Sequence, residues 1–164
     1  MTTAAQAPQV QFSEANLRKL EEMRKRYPTK QALTLPVLWM AQEQFGWISG
    51  EVMKYIAGLL DLPVSQVLGV LSFYTMYNSR PVGKYHLQVC TNVSCMLRGS
   101  DRIMKHLSER LGIHEGETTA DGRFTITEVE CLGSCGTAPM LQVNNDFAEN
   151  LTPEKLDRLM EGWK

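Results

Sequence analysis

The sequence lacks the features that mark several large classes of protein. Its 164 residues carry a net charge of -1, with both signs interspersed along the chain. There is therefore no basic stripe of the kind that binds nucleic acid. No apolar run reaches the roughly 20 residues of a transmembrane helix, so direct membrane insertion is not expected. Residues 1–12 contain neither a charged side chain nor an apolar run, which predicts no secretory signal and no mitochondrial presequence.

Motifs for nucleotide and dithiol chemistry are also missing from the sequence. No G-x-G-x-x-G and no G-x-x-x-x-G-K-[ST] occurs, so any nucleotide or flavin is expected on a partner. The absence of C-x-x-C argues against a thioredoxin-like dithiol enzyme. The chain has only three histidines, which we expect in packing or surface positions: His86, His106 and His114.

The chain does contain four cysteines, arranged as two short-spaced pairs. Cys90 and Cys95 form a C-x4-C pair, and Cys131 and Cys135 form a C-x3-C pair. Such pairs are what a four-thiolate metal site needs, provided that the fold brings the two segments together. Each pair is predicted to lie on one tight loop.

Three interpretations of these cysteines compete. Disulfides suit oxidising compartments, and the sequence gives no secretory signal. Structural zinc is commonly held by C-x2-C to C-x4-C hairpins, and neither pair has the common C-x2-C spacing. A [2Fe-2S] cluster takes four thiolates and is wider than one zinc ion, and C-x4-C also occurs in plant-type ferredoxins. Small and polar neighbours such as Ser94 and Gly133 would let backbone N–H groups approach the sulfurs, which favours the cluster and leaves zinc as the alternative.

Hydrophobic periodicity divides the chain into a disordered tail at residues 1–12, a helical domain at 13–79 and a second domain at 80–164. Ser13 and Ser49 are predicted helix N-caps. The predicted helices of the first domain are 13–26, 30–46 with Pro36 either starting or kinking it, a segment after Ser49 and a segment after Pro63.

The second domain reads as β-loop-α-β-loop-β-α, which argues for an α/β sandwich. Its predicted elements are strands at 84–90, 124–129 and 139–143, a helix capped by Ser100 and ended by Gly112, and a last helix capped by Thr152. Both cysteine pairs follow the C-terminal ends of strands, where open α/β sheets bind their ligands. The two pairs are therefore expected to meet.

Several segments of this chain resemble a known family, the [2Fe-2S] subunit of NADH:quinone oxidoreductase, respiratory complex I. The segments that carry the resemblance are Phe73–Met76, Pro81–Tyr85, Cys90–Gly99, Thr118–Gly122, Glu130–Cys135 and Ala138–Pro139. The match runs from about residue 12 to the C-terminus. It implies an α+β or α/β fold with an N-terminal helical bundle followed by a thioredoxin-like [2Fe-2S] ferredoxin domain.

The resemblance also implies a function. It implies one [2Fe-2S] cluster, held by the cysteines at positions 90, 95, 131 and 135, and it implies no catalytic residue in this chain. The expected partner is the flavin-bearing subunit, which holds FMN and oxidises NADH within a larger membrane-associated respiratory complex on the cytoplasmic face of a bacterial inner membrane. The same module resembles subunits of NAD-linked hydrogenases and formate dehydrogenases. Thioredoxin-like folds often contain a cis-proline near the active loop, which makes a cis Ala138–Pro139 bond a hypothesis.

Overall fold

A computed structural model describes residues 10–163 of the chain. The chain divides into two compact units, Met1–Pro81 and Val82–Lys164. The predicted disordered tail lies outside the described residues at positions 1–9. Phe12, the last residue assigned to that tail, is instead buried.

The described part of the first unit is helical. Its helices are α1 (Glu14–Arg24), α2 (Thr34–Phe45), α3 (Gly50–Leu60) and α4 (Val64–Phe73), with a 3-10 turn at Gln31–Leu33 before α2. The side chains of Ser13 and Ser49 each accept a backbone N–H from the first turn of α1 and α3, which confirms both predicted caps. The helix α2 begins at Thr34, so Pro36 does not start it. Pro36 lies in the first turn, where its missing backbone N–H costs no helical hydrogen bond.

The helices of this unit enclose an apolar core that explains the burial of Phe12. Its largest buried side chains are Ile48, which lies between α2 and α3, and five residues of the first three helices: Leu20, Leu38, Met40, Ile56 and Leu60. The Phe12 ring stacks on Phe45 and meets Tyr55 edge-on. The Tyr55 hydroxyl also accepts the Phe12 N–H at 3.0 Å. An aromatic residue just before a capped helix is thus fixed by packing.

The second unit contains a mixed sheet with helices between its strands. Its elements are β1 (Tyr85–Cys90), α5 (Val93–Leu97), α6 (Ser100–Leu111), β2 (Phe124–Val129), β3 (Leu141–Val143), β4 (Asp146–Ala148) and α7 (Pro153–Gly162). The strand order is β2-β1-β3-β4. The β1–β2 pair is parallel, and the other two pairs are antiparallel. Thr152 caps α7 as predicted, with Pro153 as the first helical residue.

A second apolar core lies between this sheet and its helices. Leu87, Val89 and Ile126 of the two central strands are fully buried. The amphipathic helices α6 and α7 contribute Leu107 and Leu156 to the same cluster. Because α6 connects two parallel strands, its burial also fixes the crossover that aligns the ends of β1 and β2.

The structure corrects three details of the sequence prediction. Gly99, in a left-handed conformation, is the N-cap of α6, and Ser100 is already helical and buried. The Ser100 hydroxyl has no hydrogen-bond partner among residues 10–163. The third strand begins at Leu141 rather than at 139, and a fourth strand follows the turn at Asn144–Asn145.

Among residues 10–163, no helix is long and apolar enough to cross a bilayer.

We predict that Gly83→Ala destabilises the second unit, because a Cβ at this position would lie 2.8 Å from backbone atoms of Arg123 and Phe124. Backbone atoms of a paired strand cannot easily give way, so a loss of about 1–3 kcal/mol in the free energy of unfolding is expected. Denaturant titration of the metal-free chain measures it. Gly162→Ala, where a Cβ meets nothing within 4 Å, is the matched control. Equal midpoints for the two variants would contradict the prediction.

Candidate metal centre

The pairing of β1 with β2 brings the two cysteine segments to one edge of the sheet. Cys90 is the last residue of β1 and stands opposite Val129, the last residue of β2. Cys131 follows Val129 by two residues. The Thr91 N–H continues the ladder, donating to the Val129 carbonyl oxygen at 3.1 Å. The strands are parallel, so their C-terminal ends and the cysteines that follow coincide, as predicted.

The first segment is not a loop throughout, because Cys95 lies on the short helix α5. Asn92 is its N-cap, and the Asn92 side chain accepts the Val93 N–H at 2.8 Å. Cys90 and Cys95 are both 2% exposed. They form a small buried cluster with Ala138 and Met140. The inward face of α5 therefore carries the thiol into an apolar pocket.

The second segment lies at the surface. Both Cys131 and Cys135 are exposed. Between them Gly133 adopts a left-handed conformation with a φ of 77°, which favours glycine at this position. Cys135 begins a single 3-10 turn that ends at Thr137. The site thus combines one buried and one exposed pair of thiols.

The Cys90 thiol has polar neighbours from both segments. The thiols of Cys95 and Cys131 and the backbone N–H groups of Leu132 and Asn92 act to lower the pKa of Cys90. Burial raises the pKa of Cys90, but these donors outweigh burial and hold the pKa below its ordinary value.

At the Cys95 thiol, the effects that raise the pKa outweigh those that lower it. Burial, together with the hydrogen bond to Cys90 and the charges of Cys90 and Cys135, raises the pKa of Cys95 to about 11. The Met140 N–H is a counteracting donor to this sulfur. Met140 also accepts the Cys90 N–H through its carbonyl oxygen at 3.2 Å. One backbone residue outside either pair therefore contacts both buried cysteines.

These four residues suit an iron–sulfur cluster by the chemistry of their donors. Thiolates hold iron, and backbone N–H groups aimed at sulfur stabilise the negative charge of such a cluster. Gly133 supplies another such donor, to the Cys131 sulfur at 3.4 Å. All four cysteines are free thiols, so the disulfide interpretation has no support. Within the described residues, no group of three or more His, Cys, Asp or Glu side chains, the four cysteines included, is placed to hold a metal ion.

The other residues singled out from the sequence lie around this site or apart from it. The Ala138–Pro139 bond is cis, as hypothesised. The His86 ring bonds to Thr127 at 2.8 Å, and burial lowers the pKa of His86. The His106 ring bonds to Asp157 at 2.8 Å. Backbone N–H donors near the sulfurs were predicted, but not that Leu132 and Met140 supply them, because a backbone group has no sequence signature.

Comparison with protein families supports the iron–sulfur interpretation. Residues 20–164 match the sequence profile of the family described as thioredoxin-like [2Fe-2S] ferredoxin. The chain belongs to this family. The match includes most of the helical unit as well as the sheet, and it confirms the predicted thioredoxin-like fold with an N-terminal helical part.

Curated relatives place the chain more closely within that family. It is 45% identical over 153 residues to the E subunit of NADH-quinone oxidoreductase from Rickettsia bellii, covering 92% of each chain. It is 42% identical over 146 residues to an E subunit of NADH-quinone oxidoreductase from Rhizobium meliloti, covering 89% of this chain and 87% of the relative. The resemblance to the complex I subunit is thereby confirmed at the level of the family.

A solved structure shares the fold at lower identity. It is that of an NAD+-reducing [NiFe]-hydrogenase in the air-oxidised state, with a TM-score of 0.70 and 22% identity. The superposition covers 79% of this chain but only 22% of the hydrogenase chain. At this identity the likeness establishes the fold alone.

We predict that the thiols of the reduced, metal-free chain react at unequal rates. At pH 8 a pKa of about 11 leaves about one in a thousand Cys95 side chains ionised. Iodoacetamide should therefore modify the exposed Cys131 and Cys135 at least about tenfold faster than Cys95. Peptide mass spectrometry over time measures the rates, with the urea-unfolded chain as the control in which they converge. Equal rates in the folded chain would refute the described burial.

Proposed function

We propose that this chain is the electron-transfer subunit of an NADH:quinone oxidoreductase of the complex I type. In this proposal the four cysteine thiolates hold one [2Fe-2S] cluster, which exchanges single electrons with FMN in a partner flavoprotein. The partner binds NADH and FMN, and this chain alone is not catalytic. The assembly lies peripherally on the cytoplasmic face of a bacterial inner membrane.

The observation that carries the proposal is the placement of the two cysteine segments side by side at the ends of β1 and β2. Cys90 is the last residue of β1 and pairs with Val129, two residues before Cys131. The two segments are about 40 residues apart in the sequence and meet only because β1 and β2 are parallel. A four-ligand site built from distant pairs explains this convergence.

The residues of the chain have distinct tasks at this site. When bound, a [2Fe-2S] cluster takes up and releases one electron at a time. The thiolates hold the irons, and the N–H groups of Asn92, Leu132 and Met140 stabilise negative charge on the sulfurs. The apolar neighbours Ala138 and Met140 exclude water from the buried pair. The exposed pair leaves an edge open toward an electron donor.

An apolar surface beside this edge fits the flavoprotein partner. The outward face of α5 carries Val93, Met96 and Leu97, which are 57%, 49% and 77% exposed. They lie between or just after the first two cysteines, so a protein covering them also covers the site. Electron transfer requires such proximity, and interface centres are commonly apolar.

The comparisons support the choice of host complex. Relatives with 45% and 42% identity, aligned over most of their length, are named as E subunits of NADH-quinone oxidoreductase. The hydrogenase shares 22% identity and is a much longer chain. The comparisons thus support the quinone-reducing complex over an NAD-linked hydrogenase.

We predict that anaerobically purified chain contains iron and labile sulfide and gives a [2Fe-2S] EPR signal on reduction. Cys90→Ser or Cys131→Ser should abolish that signal, because serine oxygen replaces thiolate poorly at such a cluster. Ser108→Ala, on α6, is the control that retains it. A chain that binds zinc, with neither iron nor sulfide, would instead establish the structural zinc module and end the proposal.

We predict that Leu97→Asp weakens association with the FMN-containing subunit at least about tenfold while iron content stays the same, because a charge would be buried in an apolar interface. The two subunits are co-expressed, and binding and NADH-dependent reduction of the cluster are measured. Reduction by dithionite should persist. Phe147→Asp, on the edge strand β4 and 52% exposed in the wild type, is the control. Unchanged binding by Leu97→Asp would exclude α5 as the docking face.

A further inference from the structure

The carboxylate of Glu149 forms hydrogen bonds to both sides of the turn that carries Cys135. Glu149 Oε1 accepts hydrogen bonds from Ser134 Oγ at 2.5 Å and from Thr137 Oγ1 at 2.7 Å. The two hydroxyl oxygens lie 2.7 Å apart. Ser134 precedes Cys135 directly and Thr137 follows it by two residues. Glu149 Oε1 thus bonds to one side chain before and one side chain after the exposed Cys135.

The backbone around Glu149 is itself anchored. The Asn150 N–H donates to the Thr137 carbonyl oxygen at 2.7 Å, and the Leu151 N–H donates to the Pro139 carbonyl oxygen at 2.9 Å. The Lys155 ammonium donates to the Glu149 carbonyl oxygen at 2.6 Å. The carboxylate is therefore presented from a fixed segment. Hydrogen bonds from Ser134 and Thr137 hold the pKa of Glu149 below its ordinary value, so it accepts both bonds as an anion at neutral pH.

The turn that carries Cys135 is short and its thiol lies at the surface. Cys135 is exposed, Gly136 follows it, and the 3-10 turn is only three residues long. Cys90 and Cys95, by contrast, are buried and held by strand and helix. A ligand side chain that is not already oriented must lose conformational entropy when it binds metal, and this weakens the binding.

We propose that Glu149 is a positioning residue for the metal centre, holding Ser134 and Thr137 so that the Cys135 thiol points to its ligand position. This inference rests on the proposed function, in which Cys135 binds iron. Glu149 does not itself touch the metal. Its effect is on how long Cys135 remains a ligand.

The experiment compares Glu149→Ala, Glu149→Gln and the control Asp146→Ala in the full chain. Asp146 is an exposed carboxylate three residues earlier, at the start of β4. Under anaerobic conditions, the rate of iron loss to a chelator should rise roughly three- to tenfold in Glu149→Ala, because two hydrogen bonds to a charged group are lost. Asp146→Ala should match the wild type. Glu149→Gln keeps an acceptor oxygen and should retain iron much better than Glu149→Ala.

Two further measurements separate positioning from a general loss of stability. In the metal-free chain, hydrogen exchange at residues 131–138 should increase in Glu149→Ala, while α6 and the central strands stay protected. The double variant Ser134→Ala, Thr137→Val should lose iron as fast as Glu149→Ala, and adding Glu149→Ala to it should change nothing more. Additive effects would show that Glu149 acts by another route.

The outcomes distinguish this inference from the proposed function. Wild-type chain that binds no iron would end the proposed function, and exchange in the metal-free chain would still report on the clamp. Iron-loaded wild type with equal iron loss in Glu149→Ala and Asp146→Ala would overturn the positioning role alone. Glu149→Gln losing iron as fast as Glu149→Ala would also overturn it, since the acceptor oxygen would then have no effect.

Discussion

The parallel pairing of β1 with β2 is the constraint on which the rest of the second unit depends. Parallel strands require a crossover, and here it is α6, buried through Leu107 against the sheet. The crossover returns the chain so that Cys90 ends one strand beside the end of the other. An antiparallel pairing of the same two strands would place the cysteine segments at opposite edges. The two cysteine segments therefore lie at the same edge of the sheet because of the direction of the strands, and not because of the cysteine spacing alone.

The site has two halves that differ in how they are held. Cys90 and Cys95 are buried with Ala138 and Met140, and apolar packing fixes them. Cys131 and Cys135 are exposed, so backbone conformation and polar contacts must fix them instead. In the proposed function this division is useful, because the buried pair would protect bound iron from water and the exposed pair would leave a short path for electrons. It also explains why polar side chains clamp the second segment.

Features set by neighbouring residues were predictable from the sequence. Ser13, Ser49 and Thr152 cap helices because a hydroxyl reaches N–H groups two or three residues ahead. Strand β2 was predicted with its observed bounds, since its apolar and β-branched residues fix its period. The four cysteines were found by type and spacing, and the family comparison supports the cluster they suggest. The failures were short elements, α5 and β4, whose periodicity is too brief to detect.

The sequence by itself determined the order of the longer helices and strands, the two cysteine pairs and their position after strands, because these depend on local spacing. Only the tertiary structure decided which pair is buried, which backbone N–H groups meet the sulfurs, and that Glu149 reaches across to Ser134 and Thr137. Nothing in the residues around Glu149 indicates this contact. It arises because residues 149–151 form backbone hydrogen bonds with residues 137–139. Contacts between segments distant in sequence are set by the packed fold, which local patterns do not encode.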